Sequence, residues 1–184
     1  MKRRLLIMFL LGCLLPFAVQ AQHGTFRFAQ ITDIHFSPNN PNPTEDLLRS
    51  VAQINATDSI DFVLVTGDIT EEGDRATMLK VKEALDLLKA KYYMVLGNHE
   101  TKWSDSGCTA FGEIFGGERF EFEHKGILFL GFNSGPLMRM AYGHVVPQDI
   151  RWRRKKWISL EKISRLYSPH TIRYWMEMWI TGMK

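Results

Sequence analysis

Three short strings in the first hundred residues hold most of the chemistry of this chain: Asp33-Ile34-His35, Thr66-Gly67-Asp68 and Gly97-Asn98-His99-Glu100. Carboxylate, imidazole and amide oxygen are together a donor set for borderline-hard divalent ions such as Zn, Mn or Fe(II). Asp33 and His35 lie two residues apart, so both can face one ion. Asp68 is a carboxylate free to bridge two ions, and Asn98 offers an amide oxygen to the second. A paired-ion site of this kind is suited to clamping an in-line displacement at phosphorus.

The elements that must position these groups are legible in the apolar pattern. Each string follows a run that reads as a strand: Phe26–Ile31, Phe62–Val65 and Tyr92–Leu96. Between them, Thr44–Thr57 places Leu47, Leu48, Val51 and Ile54 at helical spacing, and Asp74–Ala90 does the same with Met78, Val81, Leu85 and Leu88. The order βαβαβ implies a parallel sheet with right-handed crossovers, and sites in such sheets form beyond the carboxyl ends of the strands. Gly67 and Gly97 permit sharp turns there. Further on, Phe120–Glu123 and Ile127–Phe132 read as an antiparallel pair turning at Lys125-Gly126.

These strings resemble the opening motifs of the calcineurin-like metallophosphoesterase family, D-x-H, G-D and G-N-H-[ED], in the family's order and over roughly residues 25–150. The resemblance implies an α/β fold, a layered αββα-type sandwich, of which this chain carries the N-terminal part. It implies a metal-dependent phosphoesterase that hydrolyses phosphate mono- or diesters through a water activated by two divalent ions (Mn, Zn or Fe). Asp33, His35, Asp68 and Asn98 are then the metal ligands. His99 and Asp68 are the catalytic residues, with His99 serving as acid or donor at the leaving oxygen. Glu100 either orients His99, supports the ligands from just behind them, or lies at the surface. The expected partner is a small phosphate ester, with no nucleic acid as a specific partner. Asn133-Ser134 reads as an ordinary turn in preference to a lining of the substrate pocket, His144 as a weak ligand candidate, and His23 and His124 as surface residues.

Two later histidine motifs of the family, a histidine after another strand and a G-H-x-H pair, are not in this sequence. By the family pattern one ion keeps Asp33, His35 and Asp68, while the other keeps only Asp68 and Asn98, which is weak holding power. The activity expected of the chain as written is therefore weak or absent. The strands that would carry those histidines are missing too, so one side of the sheet core is expected to be uncovered.

The two ends of the chain differ from the middle. Lys2-Arg3-Arg4, the apolar Leu5–Phe17 and Val19-Gln20-Ala21 form a signal-peptide pattern over residues 1–21 with cleavage before Gln22. The expected location is periplasmic or extracellular, with no stable membrane span after cleavage. A lipoprotein box at Leu10-Leu11-Gly12-Cys13 is the weaker reading, because Leu14–Val19 stays apolar beyond the cysteine. With Cys13 removed, Cys108 has no internal disulfide partner. The remaining 163 of 184 residues suffice for one domain, read here as 22–152.

From Trp152 the composition shifts. Residues 151–184 hold nine basic residues against two acidic, a net of +7 that leaves −4 for the rest, and four of the five tryptophans. One reading is a basic aromatic tail on anionic lipid or nucleic acid, which makes a non-catalytic metal-binding protein the alternative function. A solvated helical extension is a second. The preferred reading is a shifted frame over 153–184. With permitted codons and one base restored after the Trp152 codon, the tail admits an amphipathic helix, an apolar strand and T-H-H, the missing fourth motif.

Overall fold

The computed structural model describes residues 25–135, 143, 145–167 and 175–177, with side chains described through residue 159. Residues 1–21, read above as a signal peptide, His23 and His144 lie outside the described residues.

The chain alternates strand and helix through its first half. β1 (Phe28–Ile31), β2 (Phe62–Thr66) and β3 (Lys91–Val95) form a parallel sheet in the order β1-β2-β3. Phe62 pairs with Phe28 on one side and with Lys91 on the other. α1 (Pro41–Ala56) and α2 (Arg75–Leu85) make the crossovers. Because both crossovers step the same way along the sheet, right-handedness places both helices on one face. The core agrees: Leu47 and Val51 of α1, Met78, Val81 and Leu85 of α2, and Val63 and Val65 of β2 share one cluster with Phe111 from α3 (Thr109–Phe115).

The alternate residues of β2 point the other way. Phe62 and Leu64 meet Phe129, Phe28, Tyr93 and Phe122 in a second, largely aromatic cluster. Phe122 and Phe129 belong to a hairpin of β4 (Phe120–His124) and β5 (Ile127–Gly131), with Phe122 opposite Phe129. All five residues of β2 are buried, as expected for a strand covered on both faces. The hairpin turns on Lys125 (φ 47°) and Gly126 (φ 81°), both left-handed, which matches the twist of a two-residue loop. β6 (Trp175–Glu177) pairs with β5 in parallel.

A fourth layer follows. Glu121 stands opposite Leu130 on the hairpin face turned away from the first sheet. Lys156 of α4 (Pro147–Tyr167) reaches Glu121 at 2.8 Å, so α4 lies on that outer face. Arg119 engages the buried Asp149 at the start of α4, and its guanidinium sits 5.8 Å from the Trp152 ring centroid. α4 runs on past residue 152 without a break. The layering is helix, sheet, sheet, helix, and both faces of the first sheet are packed. The uncovered side expected from the sequence is therefore not a face. It is restricted to the edges, where β1 and β3 have no outer strand partner among the described residues.

Two helix boundaries differ from those expected. α1 starts at Pro41 rather than Thr44, because the Asn40 side chain accepts a hydrogen bond from the Asn42 amide (3.1 Å). Prolines 41 and 43 fit a first turn that needs no N–H. α2 is capped by Asp74, whose Oδ1 accepts from the Thr77 amide, and it ends at Leu85, short of Ala90. Asp86 closes it, taking the Lys82 amine and the Tyr92 hydroxyl. No described helix is long and apolar enough to cross a membrane.

Candidate metal centre

The three strings meet at the carboxyl edge of the first sheet, as their position after the strands requires. Beyond β1 and β2 the two loops continue side by side. The amides of Asp33, His35 and Phe36 donate to the carbonyls of Gly67 (3.2 Å), Asp68 (2.9 Å) and Ile69 (3.0 Å), and the Glu71 amide returns a bond to Phe36. This register aligns Asp33 and His35 with Asp68. Ligand atoms of the three side chains lie within 4.8 Å of one another.

The backbone is bent to achieve it. Asp33 (φ 53°), His35 (φ 48°) and Asp68 (φ 48°) all adopt the left-handed conformation. That region is costly for residues with a Cβ, and strain there gathers at functional sites. Beneath them the β2 and β3 turns touch through glycine. A Cβ on Gly97 would fall 2.0 Å from Asp68 Oδ1 and 2.1 Å from the Asp68 nitrogen, and one on Gly67 would meet the Gly97 Cα at 2.7 Å. No other residue lets these strand ends approach so closely.

The third string supplies His99 and Glu100 from a single π-helical turn, His99–Trp103. The His99 amide donates to Asp68 Oδ1 (3.1 Å). Its ring nitrogen Nδ1 lies 2.5 Å from the Glu71 carbonyl, which fixes the Nδ1–H tautomer and leaves the lone pair of the neutral ring on Nε2. His35 and His99 meet edge to face with centroids 4.5 Å apart. Asn98 is half-buried in the turn between Gly97 and His99.

Of the three positions expected of it, Glu100 takes the supporting one behind the ligands, not the surface and not the His99 ring. It is fully buried and accepts from the Thr70 amide and hydroxyl (3.0 Å each) and the Gly97 amide (2.9 Å). Its carboxylate thus straps the loop after β2 to the turn after β3. Burial pushes its carboxyl above the usual carboxylate range; the Thr70 and Gly97 hydrogen bonds oppose this, and the Asp68 charge adds to it.

Glu71 was not legible from the sequence. Its carboxylate lies 3.0 Å from His35 Nδ1 while its carbonyl holds His99, so one residue contacts both imidazoles. The only available signal was a carboxylate three residues after Asp68. Asn133 does more than an ordinary turn residue would: it is buried, with its Oδ1 accepting from the Gly135 amide (2.8 Å) and its Nδ2 against the Cys108 sulfur. Burial pushes the Cys108 thiol up to about 12, far from a nucleophile's range. His124 is partly buried, 3.1 Å from Asp61 and edge-on to Phe26 and Phe62, at the opposite end of the sheet.

Two carboxylates and an imidazole, converging on one point at the end of a parallel sheet, fit a divalent cation. The family model for calcineurin-like phosphoesterases matches residues 26–179. No curated protein matches the chain.

Proposed function

The chain belongs to the calcineurin-like phosphoesterase family, and from that membership we propose that it is an exported, metal-dependent hydrolase of small phosphate mono- or diesters. The observation that carries this reading is the convergence of Asp33, His35 and Asp68 within 4.8 Å at the ends of adjacent parallel strands. Asp33, His35 and Asp68 would hold one divalent ion, and Asp68 with Asn98 a second. Bound ions would supply Lewis-acid activation of water and neutralise charge on the phosphoryl oxygens.

The remaining chemistry falls to the chain's own groups. His99, with its Nδ1–H held by the Glu71 carbonyl, would act in its protonated imidazolium form, giving the Nε2 proton to the leaving oxygen and returning to the neutral ring. Its amide bond to Asp68 keeps that carboxylate oriented. Glu100 keeps the two loops in register. With only Asp33, His35, Asp68 and Asn98 as ligands, bound ions would be weakly held and slow turnover is expected.

The test is hydrolysis of p-nitrophenyl phosphate and bis-p-nitrophenyl phosphate by the purified chain with added Mn²⁺. The expected result is slow, Mn²⁺-dependent release of nitrophenol that Asp68→Asn abolishes. His99→Asn should lower it by about 10²–10⁴-fold. Release that is insensitive to both substitutions would sink the reading. The division at Trp152 is a separate proposal. Resequencing across the codons for Asp149 to Lys156 addresses it: a restored base would carry the frame into T-H-H, and an unchanged sequence would leave a decayed gene product or a natural short form.

A further inference from the structure

His35 stands between two donor sets, one at each ring nitrogen. Nε2 lies 3.9 Å from Asp33 Oδ1, on the side of the Asp33–Asp68 pair. Nδ1 lies 3.0 Å from Glu71 Oε2, and ligand atoms of His35, Glu71 and His99 also come within 4.8 Å of one another. Two imidazoles and a carboxylate therefore form a second compact triad that shares one residue with the first.

We propose that His35, Glu71 and His99 form an alternative transition-metal site that competes with the Asp33–His35–Asp68 site for the His35 ring. A neutral imidazole has one lone pair, so it binds one ion at a time. When an ion takes Nδ1, the ring proton resides on Nε2 and faces Asp33. When an ion takes Nε2, the proton resides on Nδ1 and donates to Glu71.

The two sets differ in charge and softness. Asp33 and Asp68 bring two carboxylates to one imidazole, a set that suits harder ions such as Mn²⁺. The alternative set has one carboxylate and two imidazoles, which suits Zn²⁺, Co²⁺ and Fe²⁺. Ion identity thus selects the site. Occupation of the alternative site also removes His99 from acid catalysis, so zinc-class ions would inhibit where Mn²⁺ supports turnover. That consequence rests on the phosphoesterase reading, whereas the site itself is read by binding alone.

The test is visible-absorption titration of the full chain with Co²⁺. Asp33→Asn with Asp68→Asn disables the first site. Asparagine tolerates the left-handed backbone at both positions and keeps an oxygen for the His99 amide. The doubly substituted chain should bind one equivalent of Co²⁺ and lose at least about tenfold in affinity when Glu71→Gln is added. Absence of Co²⁺ binding in the double variant, or an unchanged affinity with Glu71→Gln, would overturn the proposal.

If that variant does not fold, proton NMR of the unaltered chain with Co²⁺ decides the matter. Two paramagnetically shifted exchangeable imidazole protons are expected, falling to one with His99→Asn. A single shifted proton that His99→Asn leaves in place would overturn the proposal. Either negative result leaves Mn²⁺-dependent hydrolysis, measured separately, untouched.

Discussion

The two ends of the first sheet are built on opposite terms. At the amino end, Phe26, Phe28 and Phe62 meet Phe129 edge to face across the two sheets, and Phe62 meets Phe122 likewise, with Phe28 and Phe62 only 5.3 Å apart and nearly parallel. Asp61 binds the hairpin tip there, reaching His124 and Lys125 at 3.1 Å each and taking the Arg27 amide. The strand residues at that end follow their own preference: aromatics in strands, apolar faces inward. At the carboxyl end, three polar residues hold left-handed backbone and two glycines press together so that like charges can converge. One end stabilises the fold. The other draws on that stability to hold a site that an ion would relieve.

Substitutions should separate the two ends. Phe62→Ala removes a fully buried ring and should cost about 3–5 kcal/mol in urea unfolding, with Mn²⁺ affinity unchanged in the fraction that stays folded. A loss of affinity as large as the loss of stability would erase the distinction.

Glu100→Gln acts at the other end. It places an amide donor against N–H groups that need an acceptor, so a loss of about 1–3 kcal/mol is expected, together with weakened ion binding. Thermal scans with and without Mn²⁺ would show a smaller ion-induced rise in Tm than in the unaltered chain.

Asp33→Gly should reverse the usual sign. It relieves left-handed strain and should raise ion-free stability by up to about 1 kcal/mol while abolishing ion binding at the first site. A destabilised, ion-binding variant would contradict the contrast.

The smallest effect concerns acid. The Arg27 amide, then the Lys125 amine, hold the Asp61 carboxyl below its ordinary value of 3.8. Its contribution is therefore complete above that value and is lost as pH falls through the depressed one. Asp61→Asn should flatten that acidic limb in pH-dependent unfolding and leave neutral-pH ion binding alone.

The contrast also explains what the sequence could carry. Strands β1 to β3, both crossover helices and the hairpin follow from local periodicity, and the three strings sit at strand ends where βαβ geometry puts them. The α1 start was missed because Asn40 and two prolines form a cap that apolar spacing does not register. Glu71 was missed, and the partners of Glu100 were not named, for a different reason. Their roles arise only when the loops after β2 and β3 fold over each other, and no spacing within one string encodes that contact. His124, read as a surface residue, becomes partly buried because the hairpin docks it against Phe26 and Phe62.

The ladder that continues past β1 and β2, from the Asp33 amide to the Glu71 amide, bears on how fast the centre can fill. Loops tied by four main-chain bonds have already lost the entropy that a disordered ligand segment would lose on capture. Ion uptake should then be a single fast step, limited by release of water from the ion rather than by ordering of the chain. The same bonds give a clock for the reverse process: the His35 and Phe36 amides should exchange with solvent only when both loops open together.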